Sequence, residues 1–203
     1  MAVSVSEGRD MKFLLASARM IDGFGTFVGK IMWWAALGMV LIGVYNVITR
    51  YIGQYIGVQL SANVYIEMQT YAFDLIFMLG AAYVLNQDGH VRVDIFYSRL
   101  GARAKAWIDI FGTFAFLLPF CVFALYFSFG YVERSWKILE QSPNPGGLPR
   151  YPLKSVILIT FVMLFLQGLS EAIKNAAFLR GIPGYGPSDD KHAHGATDQT
   201  DAL

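Results

Sequence analysis

The sequence predicts an all-α integral membrane protein: four transmembrane helices, an N-terminal amphipathic helix, and an interfacial arm helix between spans 2 and 3. Composition is the first reason, because 55% of the 203 residues are hydrophobic and 15% are charged, whereas a soluble domain carries about 25% charge. The mean hydropathy is +0.45. The second reason is that the apolar residues are gathered into four runs with few or no charges. A net charge of +1 and a single cysteine exclude a nucleic-acid binder and a disulfide-stapled secreted domain.

Each of the four apolar runs is taken as a membrane span, since crossing roughly 30 Å of hydrocarbon takes about 20 helical residues. The runs do not alternate apolar and polar residues, so helices are expected rather than outer-membrane strands. Pro119, near the centre of the third run, is expected to kink its helix. The predicted spans are Ile31–Ile48, Tyr65–Leu85, Phe111–Val132 and Ser155–Ser170.

The segments between and beside the spans divide the chain into three regions. Residues 1–30 are expected to be a cytoplasmic N-terminus with an amphipathic helix over Phe13–Val28, residues 31–180 the membrane domain, and residues 181–203 a disordered cytoplasmic tail. A turn at Asp88-Gly89 is followed by a mixed apolar and basic stretch, which predicts the interfacial arm. The expected lipid-facing side chains of the N-terminal helix are Phe13, Leu14, Ile21, Phe24 and Phe27.

The distribution of Lys and Arg predicts the orientation of the chain in the membrane. With the N-terminus inside, eleven basic residues face the cytoplasm and five face outward. Because basic residues are retained on the cytoplasmic side, both termini are predicted to be cytoplasmic. The loops after the first and third spans are then outside.

Two carboxylates interrupt the second span. Glu67 and Asp74 are seven residues apart, so they lie on one helical stripe with Tyr71 between them. A carboxylate near the bilayer centre costs about 2.5–3.5 kcal/mol, so Asp74 is expected to face protein. A polar contact to a partner helix is favoured over a proton or cation relay, because the spans hold no accompanying Lys, Arg or His. The small residues Gly80 and Ala81 would let another helix approach closely.

Two loops between the spans contain residues that could take part in catalysis or in binding a partner. His90 and Asp94 are four residues apart and could form an acid–base pair, but with no nucleophile or metal set beside them a cap or salt bridge is favoured. The stretch from Glu140 to Pro152 holds four prolines and two glycines, which exclude a helix and predict a stiffened turn. Such a loop can support a docking partner or simply join two helices.

Several short motifs of this chain occur together in one known family. Arg50-Tyr51 follows the first span, Glu67 and Leu79–Ala82 lie in the second, and Gly89–Asp94 follows the second. The remaining motifs are Pro145–Pro149 with Pro152 and Lys154, and Gln167-Gly168. Over about residues 25 to 180 the chain resembles the small membrane subunit (DctQ-like) of the TRAP, or tripartite ATP-independent periplasmic, transporters.

This resemblance implies a fixed scaffold in the bacterial inner membrane rather than an enzyme. Its implied partners are membrane lipids, a large permease subunit that binds substrate and sodium, and a periplasmic substrate-binding protein; no nucleic acid is expected. The imported substrate would be an organic acid, and this chain is expected to hold no catalytic, cofactor, metal or substrate site. The candidate subunit interface is Glu67, Tyr71, Asp74, Gly80, Ala81, His90 and Asp94, and the candidate docking residues for the binding protein are Arg134, Lys137 and Arg150.

Two other functional classes remain open at this point. One is a stand-alone tetraspan channel or proton-coupled carrier that uses Glu67 and Asp74. The other is an intramembrane enzyme that uses His90 and Asp94.

Overall fold

A computed structural model describes the backbone of residues 2–58, 62–87 and 100–182, and side chains from residue 11 onward. The part of the chain it describes is helical, apart from connecting turns and one isolated antiparallel bridge between Gln141 and Pro149. A five-residue π-helical turn, Thr113–Leu117, joins the third helix to the fourth. The helices are α1 (Ala2–Ile56), α2 (Asn63–Asn86), α3 (Ala102–Gly112), α4 (Leu118–Lys137) and α5 (Arg150–Leu179).

Four helical stretches are long and apolar enough to cross a membrane, which confirms the predicted all-α membrane fold. Each extends beyond its apolar run, because hydropathy marks the part of a helix that lipid solvates and not the turns at its ends. The stretches are Met11–Ile56, Asn63–Asn86, Ala102–Lys137 and Arg150–Leu179.

Helix α1 joins two segments that the sequence had separated. The amphipathic segment and the first span form one unbroken helix of 55 residues, about 80 Å long at about 1.5 Å per residue. No proline interrupts it. Its N-terminal part buries a stripe of Met11, Leu15 and Ala18, at the spacing of one helical face.

A change in helical geometry, rather than a measured kink, accompanies Pro119. A proline cannot donate a hydrogen bond to the carbonyl four residues earlier, and its ring crowds that carbonyl. The wide π-helical turn of Thr113–Leu117 lies immediately before it. Gly168 of α5 approaches this turn so closely that an added Cβ would lie 2.6 Å from a terminal methyl of Leu117.

The chain divides into two compact units, each with its own contacts. The first unit comprises residues 1–24, 84–121 and 164–203, and its described core contains Met11, Leu15 and Ala177. The second comprises residues 25–83 and 122–163.

In the second unit, α1 and α2 run antiparallel. Gly29 meets Tyr83, Gly43 meets Gln69, and the rings of Tyr45 and Tyr65 pack with centroids 5.2 Å apart. The residue numbers rise along one helix as they fall along the other. The two contact glycines allow the backbones to come close, as small residues do between membrane helices.

Large apolar side chains cover much of the surface of the helices. Trp33 and Trp34 of α1 are 77% and 75% exposed, and Phe77 of α2 is 71% exposed. A soluble monomer rarely shows apolar patches beyond a few hundred Å². Lipid or a partner helix is the environment that fits such a surface.

The glycine contact between α1 and α2 can be tested by adding one methyl group. In Gly29→Ala the new Cβ would lie 2.5 Å from the Tyr83 ring, and overpacking of this kind costs about 1–3 kcal/mol. We expect a lower thermal unfolding midpoint in detergent. Gly38→Ala is the matched control, because nothing lies within 4 Å of its added Cβ; equal midpoints for the two variants would contradict the packing.

Candidate functional site

The Glu67 side chain lies in a pocket formed by the loop between α4 and α5. The residue is 7% exposed. Its carboxylate accepts hydrogen bonds from the Ser142 hydroxyl, from Asn144 Nδ2 at 2.8 Å and from the Leu148 backbone N–H at 2.6 Å. All three donors belong to the loop of residues 138–149, here called the α4–α5 loop. We call this group of four residues the Glu67 cluster.

The tip of the α4–α5 loop is a tight turn that its sequence favours. The Gly147 N–H donates to the Asn144 carbonyl at 3.0 Å, with Pro145 and Gly146 between them. Gly146 has φ +70°, the left-handed conformation that a type II turn requires after proline. Gly147 is needed for another reason, since an added Cβ would lie 2.9 Å from Glu67 Oε1.

Backbone hydrogen bonds close the base of the same loop. The Arg150 N–H donates to the Glu140 carbonyl at 2.8 Å, and the Ser142 N–H to the Leu148 carbonyl at 3.2 Å. The Tyr71 hydroxyl, one helical turn from Glu67, also donates to the Leu148 carbonyl at 3.1 Å. Two side chains of α2 therefore hold both backbone polar groups of Leu148.

Charged and aromatic side chains fix the two ends of the loop. The Glu140 carboxylate accepts hydrogen bonds from Lys154 Nζ at 2.5 Å and from the Ser135 hydroxyl at 2.8 Å. These two hydrogen bonds, the one from Lys154 first, hold the pKa of Glu140 below its ordinary value. Lys154 also lies over the ring of Tyr131, 4.1 Å from its centroid. Trp136 Nε1 donates to the Ser155 hydroxyl at 2.7 Å.

The three predicted docking residues differ in their exposure to water. Arg134 and Lys137 are exposed, and Lys137 pairs with Glu133 at 2.6 Å. Arg150 is half-buried and acts electrostatically on both Glu67 and Glu140. The first two therefore lie in water, but Glu133 offsets the charge of Lys137.

The predicted subunit-interface residues are distributed over α2 and the region beyond it. Glu67 and Tyr71 make the loop contacts described above. Asp74 is half-buried, and an added Cβ at Gly80 would have open space around it. Ala81 is half-buried. His90 and Asp94 lie outside the described residues, so the interface stays a prediction.

A second carboxylate, Asp22 of α1, joins the start of the chain to the end of α5. Its Oδ1 accepts hydrogen bonds from Gln167 Nε2 and the Ser170 hydroxyl, both at 2.8 Å, and its Oδ2 pairs with Lys174 at 3.0 Å. Lys174 also pairs with Glu171. We call these five residues the Asp22 cluster. Gln167 and Ser170 are almost completely buried, at 1% and 0% exposure.

Sequence reasoning missed the Asp22 cluster, although a signal for it exists. Asp22 lies within the predicted amphipathic helix over Phe13–Val28 and is not among the candidate site residues. Helix α5 carries polar residues at 167, 170, 171 and 174, a spacing that places them on one face. A polar stripe near the end of an otherwise apolar helix predicts a polar partner, but not which one.

Neither cluster has the composition of a metal centre. Each combines one or two carboxylates with neutral donors or a lysine. Among the residues that the structure describes, no three His, Cys, Asp or Glu side chains are grouped so that they could hold a metal ion. The chemistry that the clusters support is the fastening of one segment to another.

A family model described as "Tripartite ATP-independent periplasmic transporters, DctQ component" matches residues 39–178. The matched range includes the whole Glu67 cluster. Comparison with the curated proteins and with the solved structures gives no match.

The Asp22 cluster is expected to stabilise the first unit measurably. Asp22→Ala removes the acceptor of the buried Gln167 amide and one of two acceptors of the Ser170 hydroxyl, which can still donate to the Ala18 carbonyl. An unsatisfied buried donor costs about 1–3 kcal/mol, so we expect a lower unfolding midpoint in detergent. Ser17→Ala is the control, because Ser17 is on the same helix and bonds only the carbonyl of Phe13. An Asp22→Ala midpoint as high as that of the control would show that the cluster adds no stability.

The Glu140–Lys154 contact is expected to depend on pH. Because the pKa of Glu140 is lower in the folded protein than in the unfolded chain, the contact stabilises the fold above the ordinary glutamate pKa. That contribution is lost as the pH falls through the lowered value. Lys154→Gln should move the pKa of Glu140 back towards its ordinary value, as followed by carboxyl-carbon NMR with Glu140→Gln to assign the signal.

Lys137→Gln serves as the control for this titration. Lys137 pairs with Glu133 rather than Glu140, so its removal should leave the pKa of Glu140 in place. Equal shifts in both lysine variants would mean that the contact does not set this pKa.

Proposed function

Since the chain belongs to the DctQ family, the small subunits of tripartite ATP-independent periplasmic transporters, we propose that it is the scaffold of a sodium-coupled importer of an organic acid. The family match over residues 39–178 carries this proposal. The four helices long enough to span a membrane agree with it. In this proposal a large permease subunit binds the substrate and sodium, and a periplasmic binding protein delivers the substrate.

The internal contacts of the chain support a scaffold role. Glu67 and Asp22 each accept three hydrogen bonds or ion pairs from the chain itself. Both carboxylates therefore fasten distant segments together. A scaffold requires such fixed contacts, since a moving partner can slide only against a surface that does not deform.

The proposed contact with the large permease lies on α2 and the segment beyond it. Asp74, Gly80 and Ala81 would contribute to it, together with His90 and Asp94. Asp74 supports this placement because a half-buried carboxylate in a span is costly unless a polar group meets it. Sodium is placed in the large subunit, and this chain is proposed to bind no cofactor.

The proposed orientation is in the bacterial inner membrane with both termini cytoplasmic. The α4–α5 loop then faces the periplasm. The exposed cations Arg134 and Lys137 lie just before it in the chain. They would meet the binding protein on its approach.

Co-expression with a large permease subunit from the same genome tests the proposal. We expect a stoichiometric complex on purification, and liposomes that hold this chain alone should take up no more solute than empty ones. Asp74→Asn should reduce the recovered complex several-fold, whereas Glu133→Gln, an exposed carboxylate on α4, should not. Uptake by the chain alone, abolished by Asp74→Asn, would instead establish a stand-alone carrier.

A further inference from the structure

The α4–α5 loop presents an exposed tip on a fixed base. Its tip residues Pro143, Asn144, Pro145 and Gly146 are all exposed, whereas the following residues, up to Arg150, are half-buried. The tip carries no charge. Its shape is set by two proline rings and by the Gly147-to-Asn144 hydrogen bond, so little conformational freedom is left for a partner to remove.

The segment that leads into this tip is both basic and apolar. Arg134 and Lys137 end α4 as exposed cations, and Ile138 and Leu139 follow at 71% and 57% exposure. Leu139 has φ +46°, a conformation rare for a branched side chain. Exposed apolar side chains next to cations, on backbone held in an unfavourable conformation, are typical of a contact surface.

The position of the tip limits what can cover it. Its residues lie beyond the last residue of α4 and before the first residue of α5, the ends of two candidate spans. A transmembrane helix of the permease meets the faces of spans, whereas a soluble protein approaches from water. Lys137 is paired with Glu133, so Arg134 is the exposed cation beside the loop whose charge a partner would meet. The occupant that fits an exposed loop beside this cation is a soluble partner with an acidic group on its rim.

We propose that the α4–α5 loop is the docking element for the soluble binding protein, and that Glu67 is its positioning residue. The inference rests on the proposed function, which supplies the partner and the side of the membrane. Glu67 is almost completely buried and does not reach the tip surface. It acts through Ser142, Asn144 and Leu148, whose donors surround its carboxylate.

The test uses the complex of this chain with its permease, purified in nanodiscs, and the probe is the periplasmic binding protein of the same transporter. Glu67→Gln places an amide nitrogen against a donor of the loop, so at least one hydrogen bond is lost. We expect the Kd for the binding protein to rise at least about tenfold, equivalent to about 1.4 kcal/mol. Amide exchange over residues 141–149 should accelerate. Co-purification with the permease should stay unchanged, because the Glu67 carboxylate is turned into the loop and the residue is 7% exposed, which takes it out of the predicted subunit interface.

Gly147→Ala disturbs the same loop without changing any residue of α2, and it tests the proposal if Glu67→Gln fails to insert into the membrane. Its added Cβ would lie 2.9 Å from Glu67 Oε1, so the same rise in Kd is expected. Gly130→Ala of α4 is the matched control, since its added Cβ meets nothing within 4 Å, and its Kd should equal that of the wild type. Arg134→Gln should weaken the binding mainly at low salt, as a rim charge does.

Two results would overturn the inference. One is an unchanged Kd in a variant whose loop exchanges faster, because the shape of the loop would then not matter to docking. The other is loss of the permease from Glu67→Gln, which would place the loop against the permease. Failure of the proposed function looks different, since the wild-type chain itself would then form no complex with the permease.

Discussion

Hydrocarbon offers no hydrogen-bond partner, so every polar group within a span must find one in the protein or remain at the edge of the lipid. This constraint accounts for the two carboxylate clusters. Glu67 reaches out of α2 into a loop that supplies three donors. Asp22 is met by an amide, a hydroxyl and an ammonium group of α5. In both clusters a carboxylate fixes one segment to another.

Close backbone approach is the second way in which these helices are held. Burial of apolar surface gives little preference for one helix face over another when the surroundings are lipid. Gly29 and Gly43 face side chains of α2, and Gly168 faces the π-helical turn before Pro119. A methyl group at any of these positions would meet another side chain, so the missing Cβ sets the distance between the helices.

The sequence was sufficient for the four membrane-spanning helices, because apolar runs of this length have few other solutions. It was insufficient for the long-range contacts. Glu67 and Tyr71 were correctly placed on one stripe, but their partner Leu148 lies 77 or more residues later, and nothing in the spacing connects them. The continuity of α1 was also missed. Asp22 reads as an interruption of an apolar helix until Gln167, Ser170 and Lys174 are seen around it.

Glu67 and Asp74 of α2 are the carboxylates that suggest a carrier, but the contacts of Glu67 do not suit that role. A carrier needs polar groups that exchange partners as it moves between states. To release Glu67, the α4–α5 loop would have to withdraw the three donors that bind its carboxylate. The base of that loop is closed by the Arg150-to-Glu140 and Ser142-to-Leu148 hydrogen bonds. Breaking one contact would therefore disturb several others. Such coupling suits a part that keeps its shape while its partner moves.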